Sequence, residues 1–328
     1  MDYYSGAGHY DRETVRFFDV AHEGAQLRAV AGALPQIERL GGIEPRSLVV
    51  IATDQLAAAV ARAAVALCEP HKLPVCVADQ LPAYVGPLDV VLIVGERATR
   101  ESDSRALITA SGRGAEVLLA GPARGPLLND APATTTTIPA LPTAAGPSPA
   151  RTIAAVTAVY DVIAGSGADA AARLEAIAEQ VDSDLAALSP EREESVNPAR
   201  QLRAFAADSL VAHSAAEVDG LVGSTAVGRA VAAVAAELWS ARGLVSGFVA
   251  PEEMPLDQFQ AGEFQLVPLK TVLWALPGAA AEAASAAPNT RAESVEDAGL
   301  GPVAQCVRLV TRAYAVTAFD PPAEEMWR

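Results

Sequence analysis

An uninterrupted aliphatic run from Val90 to Val94 is the feature that most limits how this chain can fold. Such a run is typical of a strand buried on both faces of a parallel sheet. In sheets of this kind, ligands bind beyond the carboxyl ends of the strands. The segment that follows, Gly95–Ser104, is therefore the first place to look for function. It carries mixed charge instead of the glycines and small hydroxyl residues that usually hold a phosphate at a helix N-terminus.

Strand-like and helical segments alternate through the first half of the chain. Strands are predicted at Ser47–Ala52, Pro74–Ala78, Asp89–Val94 and Glu116–Ala120, and helices at Gly24–Leu40, Asp54–Cys68 and Arg105–Arg113. This βαβ series predicts a parallel sheet with helices on both faces. The Pro-, Gly- and Thr-rich stretch Gly121–Pro149 is predicted to be a connector with one short strand at Thr135–Ile138.

A second α/β unit follows the connector. Helices are predicted at Arg151–Ile163, Asp169–Val181, Asn197–Ser214, Ala226–Arg242 and Gly301–Thr317, and strands at Leu244–Val249 and Leu266–Ala275. A short apolar segment lies at Gly220–Gly223, and Ala279–Ala298 is expected to be an exposed helix or a loop. The fold class is therefore α/β, with two tandem doubly wound parallel-sheet domains at residues 1–150 and 151–328.

Composition narrows the classes of function. The 328 residues carry a net charge of −16, which argues against nucleic acid and anionic membranes as partners. There is no 18-residue apolar run and no leader pattern, so a cytoplasmic protein is expected. The three cysteines lack metal-ligand spacing and are expected to be buried, reduced thiols. Lys72 and Lys270 are the only lysines, a bias typical of GC-rich actinobacterial genomes.

Four segments, in order along the chain, carry a family resemblance: Leu81–Val94, Pro147–Arg151, Leu221–Ala232 and Tyr314–Pro321. Together they resemble the bifunctional phosphoglucose/phosphomannose isomerase family, whose members contain two sugar isomerase (SIS) domains. The resemblance implies two SIS-like domains, a sugar phosphate ligand, a role in mannose metabolism and a homodimer. It implies no metal or other cofactor.

The catalytic motifs of that family are absent. Aldose–ketose isomerisation needs a base between C1 and C2, a ring-opening group and positive charge near the enediolate. The family's base lies in an Asn-Glu-Asn-Ala-Lys motif, and Glu237 is the nearest carboxylate in this chain. The alternative is that Glu237 is a solvent-exposed residue on an amphipathic helix, with no catalytic role. No histidine follows His213, which is predicted to end a helix and interact with its dipole. Arg151 matches the enediolate-facing arginine, although pairing with surface acids would explain it equally well.

The phosphate-binding loops also differ from the family pattern. The first glycine turn is replaced by Ile51–Gln55, in which Asp54 is expected to cap a helix and repel phosphate. In the second loop, Thr99 and Arg100 could bind an anion, as could Arg97 and Ser102, but three acids lie among them. The best remaining anion site is the predicted turn of Gly223, Ser224, Thr225 and Gly228, with Arg229 nearby and no acid between Leu221 and Ala236. Simple N-capping is the alternative.

Two hypotheses follow. In the first, the protein is a degenerate double-SIS protein that binds a phosphosugar or a partner enzyme without isomerising a sugar. In the second, it is an active glucose-6-phosphate/mannose-6-phosphate isomerase with a rebuilt catalytic set. The first is favoured because neither the base nor the ring-opening histidine occupies its family position.

Overall fold

The computed structural model describes residues 11–144, 146–216, 222–254, 267–277 and 289–321, with backbone only at 222–224. The helices are α1 Arg12–Val20, α2 Glu23–Ile37, α3 Gln55–Ala66, α4 Glu101–Gly112, α5 Pro126–Asn129, α6 Pro149–Ile163, α7 Ala170–Leu188, α8 Pro198–Phe205, α9 Val222–Ala241 and α10 Gly301–Val316. The strands are β1 Ser47–Ala52, β2 Val75–Ala78, β3 Asp89–Val94, β4 Glu116–Ala120, β5 Thr136–Thr137, β6 Leu210–Ala215, β7 Ser246–Phe248, β8 Leu269–Trp274 and β9 Thr290–Glu293.

The strands form two sheets whose described pairs are all parallel. The first has the order β2-β1-β3-β4-β5 and the second has the order β7-β6-β8-β9. The predicted fold class, α/β with two doubly wound parallel sheets, is confirmed. The strand predicted inside the connector is β5, which pairs with β4.

The central strands β1 and β3 of the first sheet are buried on both faces, as the aliphatic run predicts. Leu92 on β3 packs, with its neighbours on one face, into the larger core that α2, α3 and α6 cover. Val91 and Ile93 point to the opposite face and pack against Leu107 of α4. Alternate side chains of a strand point to opposite faces, so a strand covered on both sides needs apolar residues at every position.

Helix α9 joins the two halves. It packs against α3 on one side and against α10 and β6 of the second unit on the other. Most of its Ala- and Val-rich surface is therefore covered within a single chain, while Ala226 and Ala233 line a groove shared with α3. No helix in the described ranges is both long and apolar enough to cross a bilayer.

Several predictions for the second half were wrong. The helix predicted at Asn197–Ser214 ends at Phe205, because Asp208 takes a left-handed conformation (φ 51°) and the chain turns into β6. His213 therefore lies in a strand rather than at a helix end. Within Ala279–Ala298, Thr290–Glu293 is a strand, while residues 278–288 lie outside the described part.

The predicted glycine turn also differs. Residues 217–221 lie outside the described part of the chain, so most of the apolar segment Gly220–Gly223 falls there. From Val222 onward the backbone is already helical. Gly223, Ser224, Thr225 and Gly228 are thus the opening turns of α9 rather than a turn preceding it.

Candidate functional site

A cavity of about 330 Å³ lies at the carboxyl edge of the first sheet. Parallel strands bring the residues that follow β1 and β3 to the same edge, where ligands of α/β proteins usually bind. Asp54 follows β1 and Arg97 follows β3. The lining residues are Asp54, Gln55, Leu56, Arg97, Pro147, Glu237, Leu238, Ser240, Ala241 and Arg242.

The opposite wall of the cavity is the last turn of α9. Helices α3 and α9 run antiparallel, so the start of α3 meets the end of α9. Gln55 Nε2 donates to Glu237 Oε2 at 2.7 Å across this contact. At the other end of the pair, Ala66 and Ala226 line one shared groove. Both helices are rich in alanine, which allows their backbones to approach closely.

Asp54 shapes the first-sheet side of the cavity. It caps α3, as predicted: Asp54 Oδ1 accepts from the Ala57 amide at 2.9 Å. Its Oδ2 accepts from the Arg97 amide at 3.3 Å, which links the loops after β1 and β3. Gly95 makes this approach possible, since a Cβ there would lie 2.2 Å from Thr53 Oγ1 and the backbone has φ of +129°.

Two arginines give the cavity positive charge. The exposed Arg97 guanidinium makes no hydrogen bond or ion pair with the residues that the structure describes. Arg242 lies over the Tyr314 ring, with its Cζ 5.9 Å from the ring centroid, and its Nη2 is 3.5 Å from the phenol oxygen. The ring therefore orients one guanidinium, while the other is free to contact a ligand.

Arg151 does not line the cavity but lies behind it, fully buried. Its guanidinium pairs with Glu96 and donates to the carbonyl oxygens of Gly121, Ile138 (3.2 Å) and Pro139 (3.3 Å). These acceptors follow β3, β4 and β5, so Arg151 ties three strand ends together. Burial raises the pKa of Glu96, and the Arg151 guanidinium opposes that shift.

A second buried carboxyl lies beside this pair. Glu23 Oε2 accepts from the Ala150 amide at 2.8 Å, and its Oε1 has no hydrogen-bond partner within the described residues. Burial raises the pKa of Glu23 to about 8. The region behind the cavity thus holds two buried acids and one buried base.

The other candidate residues from the sequence lie elsewhere. Thr99 is exposed, and the Arg100 side chain is occupied by Asp103 and by the carbonyl oxygen of Ala52 (3.1 Å). Neither Thr99 nor Arg100 lines the cavity. Among the described residues that the sequence nominated for catalysis or anion binding, Glu237 and Arg97 line the cavity, whereas Arg151, Thr99, Arg100, Ser102 and the first turns of α9 do not.

The first turns of α9 are separate from Glu237. Glu237 lies 14 positions after Gly223 in the sequence, which places the two residues about 20 Å apart along the helix. A Cβ at Gly228 would lie 2.4 Å from the Trp274 carbonyl oxygen and 2.8 Å from Ala215 Cβ, so this glycine permits close packing of α9 on the second sheet. The sequence has no acid between Leu221 and Ala236, but the fold brings Glu252 from outside that segment to pair with Arg229.

His213 is buried in β6 and distant in role from the cavity. Trp274 Nε1 donates to His213 Nδ1 at 3.1 Å, and Trp239 packs edge-on against the imidazole. Burial lowers the pKa of His213 to about 3. It is therefore a neutral core side chain and not a helix-dipole partner.

Sequence reasoning missed Gln55 and Arg242 as parts of the site. Gln55 belongs to the segment that replaces the glycine-rich turn of the family that the sequence resembles. That replacement indicates that the residues lining this part of the cavity differ from those of the family. Arg242 ends a helix, where a cation is expected on general grounds, so its sequence position alone does not point to a ligand.

No protein-family profile matches the chain, and no curated protein matches it by sequence. Solved structures do match its fold. Tagatose-6-phosphate ketose/aldose isomerase from Escherichia coli is 13% identical, with a TM-score of 0.62 and 91% coverage of both chains. The C-terminal domain of glucosamine-fructose-6-phosphate aminotransferase from Francisella tularensis is 11% identical, with a TM-score of 0.59, covering 94% of this chain and 96% of that one.

A Bacillus subtilis protein provisionally classed as a phosphosugar isomerase gives the same result. It is 12% identical, with a TM-score of 0.61, covering 90% of this chain and 94% of that chain. At these identities the likeness concerns the fold. The chain has two parallel-sheet α/β units and shares the fold of these phosphosugar isomerase structures.

Proposed function

We propose that this protein binds a sugar phosphate in the cavity between the first sheet and the end of α9. The observation that carries the proposal is the Arg97 guanidinium at the carboxyl edge of β3, which has no partner among the described residues and lines a cavity together with Arg242. Guanidinium groups are well suited to phosphate because their N–H donors match its oxygens. The solved structures of similar fold include proteins named for acting on sugar phosphates.

The proposed activity is binding without isomerisation. The described residues that line the cavity include two carboxylates, Asp54 and Glu237, but neither a histidine nor a lysine. Arg151, which matches the family's enediolate-facing arginine, is held by Glu96 and three carbonyl groups behind the cavity. A bound sugar would therefore meet a candidate base but no evident ring-opening acid.

The alternative is an active isomerase that uses Glu237 as its base. One observation favours it: Glu237 is the predicted catalytic carboxylate, and it lines the cavity together with both arginines. An isomerisation assay between fructose 6-phosphate and the glucose and mannose 6-phosphates separates the two. We expect no turnover above background. Turnover that disappears in Glu237→Gln would establish the alternative.

Calorimetric titration with glucose 6-phosphate and fructose 6-phosphate tests the binding site. We expect Arg97→Ala and Arg242→Ala each to weaken binding about tenfold or more, since each removes a charged phosphate partner. Arg105→Ala is the matched control, because Arg105 pairs with Glu101 on the surface of α4, outside the cavity. Gly223→Val tests the first turn of α9 as the competing position.

If binding is lost in Gly223→Val and kept in Arg97→Ala and Arg242→Ala, the phosphate binds at the start of α9 and the cavity proposal is wrong. If neither sugar phosphate binds to the unmodified protein, the proposed function itself fails.

The homodimer implied by the family resemblance stays a prediction. The apolar surface of α9 supports it less than the sequence suggested, because α3, α10 and β6 cover most of that surface within one chain. Light scattering decides the question: a mass of 33.7 kDa at all concentrations would exclude the dimer.

A further inference from the structure

The cavity carries two positive and two negative side chains. Arg97 and Arg242 can pair with the negative charge of a phosphate. Asp54 and Glu237, which are themselves negative, line the same cavity. A sugar phosphate with neutral substituents would use only the arginines and leave the carboxylates facing an anion. The charge of the cavity is therefore matched by a ligand that bears both an anionic and a cationic group.

The two carboxylates are not equivalent. Both oxygens of Asp54 accept backbone N–H groups, from Ala57 at 2.9 Å and from Arg97 at 3.3 Å. The Asp54 carboxylate thus binds the start of α3 and the loop after β3. Its charge contributes to the field in the cavity, but its oxygens are occupied.

Glu237 has an oxygen to spare. Its Oε2 accepts from Gln55 Nε2 at 2.7 Å, while its Oε1 makes no hydrogen bond and no ion pair with the residues that the structure describes. The half-buried carboxylate is held in place by a neutral amide, which fixes its direction without cancelling its charge. A carboxylate oriented in this way is a suitable partner for an ammonium group.

We infer that the ligand class is the phosphorylated amino sugars, with Arg97 and Arg242 binding the phosphate and Glu237 binding the protonated amine. The inference rests on the proposed function, because it assigns a ligand class to the same cavity. Glu237 is the specificity-determining residue in this assignment, and Gln55 is the positioning residue that orients it.

Three probes test the assignment by calorimetry at neutral pH: glucosamine 6-phosphate, glucose 6-phosphate and N-acetylglucosamine 6-phosphate. The third keeps the nitrogen but removes its charge. We expect glucosamine 6-phosphate to bind about fivefold to tenfold more tightly than either of the others, the range that a single charge pair in a half-buried site supplies. In Glu237→Gln, the three affinities should converge to within about twofold.

Glu179→Gln removes an exposed carboxylate from α7, outside the cavity, and serves as the control for the change in net charge. It should keep the full preference for the amine. Circular dichroism on each variant verifies that the protein has remained folded.

The outcomes separate the inference from the proposed function. Equal affinity for all three probes in the unmodified protein would overturn the amino sugar assignment and leave sugar phosphate binding intact. A preference for the amine that survives in Glu237→Gln would overturn the role of Glu237. Absence of binding by every probe would overturn both.

Discussion

The two ends of the α3–α9 helix pair differ in structure. At the end formed by the start of α3, polar side chains from both helices and from the loop after β3 surround a cavity. At the end formed by the start of α9, Gly228 lies against the Trp274 carbonyl and Ala215, so that α9 packs closely on the second sheet. The sequence places glycines and hydroxyl residues at the second end, where a phosphate would ordinarily be expected.

The difference shows that a glycine can have either of two structural roles. Gly95 permits one loop to approach another at the edge of a cavity, whereas Gly228 permits a helix to approach a sheet. Only the fold distinguishes these two roles, because each role depends on which part of the structure lies against the glycine.

Arg151→Met should be the most damaging substitution at the cavity end. It leaves Glu96 as a buried acid without its cationic partner and leaves the carbonyl groups of Gly121, Ile138 and Pro139 without a donor. Removing one partner of a buried ion pair costs about 3–5 kcal/mol. Urea denaturation measures the loss.

The double variant Arg151→Met/Glu96→Leu provides the control for this interpretation. It removes the stranded charge, so we expect it to recover part of the lost stability. If Arg151→Met unfolds at the same urea concentration as the unmodified protein, Arg151 is not the residue that ties the strand ends together.

Gly228→Ala tests the packed end. The new methyl group would lie 2.4 Å from a backbone oxygen, so α9 must shift away from the second sheet. Overpacking of this kind costs about 2–3 kcal/mol of unfolding free energy. Gly32→Ala on α2 is the matched control, because nothing lies within 4 Å of its Cβ position. The control should raise stability by about 0.5–1 kcal/mol through helix propensity alone.

A stable Gly228→Ala variant would contradict the packing role and return this glycine to the list of candidate ligand contacts. The thermal unfolding midpoints of Gly228→Ala and Gly32→Ala should therefore move in opposite directions.

Much of the first sheet could be predicted from the sequence, for a physical reason. β1, β3 and β4 begin and end where predicted, because each is a run of aliphatic residues that only a doubly covered strand can bury. β6 was missed because His213 and Ser214 interrupt its apolar pattern, although both are fully buried. The burial of His213 depends on Trp239 and Trp274, which lie on other elements.

The cavity was less predictable than the sheet around it. Its central contact joins Gln55 to Glu237, two residues separated by 182 positions. The pairing of α3 with α9 is a tertiary event that no local pattern encodes. Glu237 could be nominated because it lies near the position of a family motif, but its partner Gln55 could not. Arg151 fitted both of its predicted roles, and only its burial against Glu96 distinguishes them.

The cavity end should also govern how stability depends on pH, through Glu23. Burial raises its pKa from the ordinary value of 4.5 to about 8 in the folded protein. Below pH 4.5 the carboxyl is protonated in both states and contributes no pH dependence. As pH rises from 4.5 towards 8, the unfolded chain releases a proton that the folded chain retains, so the free energy of unfolding falls. Glu23→Gln removes this titration while keeping an oxygen for the Ala150 amide.

We therefore expect Glu23→Gln to match the unmodified protein near pH 4.5 and to exceed it by about 1–2 kcal/mol at pH 7, a smaller gain than the full pKa difference because the folded state can relax around the charge. Urea denaturation at several pH values between 4.5 and 8 measures the divergence. Glu38→Gln, which removes an exposed carboxylate after α2, should not reproduce it. Parallel curves for Glu23→Gln and the unmodified protein would mean that Glu23 ionises freely in the folded state, and the cavity end would then have no protonated acid behind it.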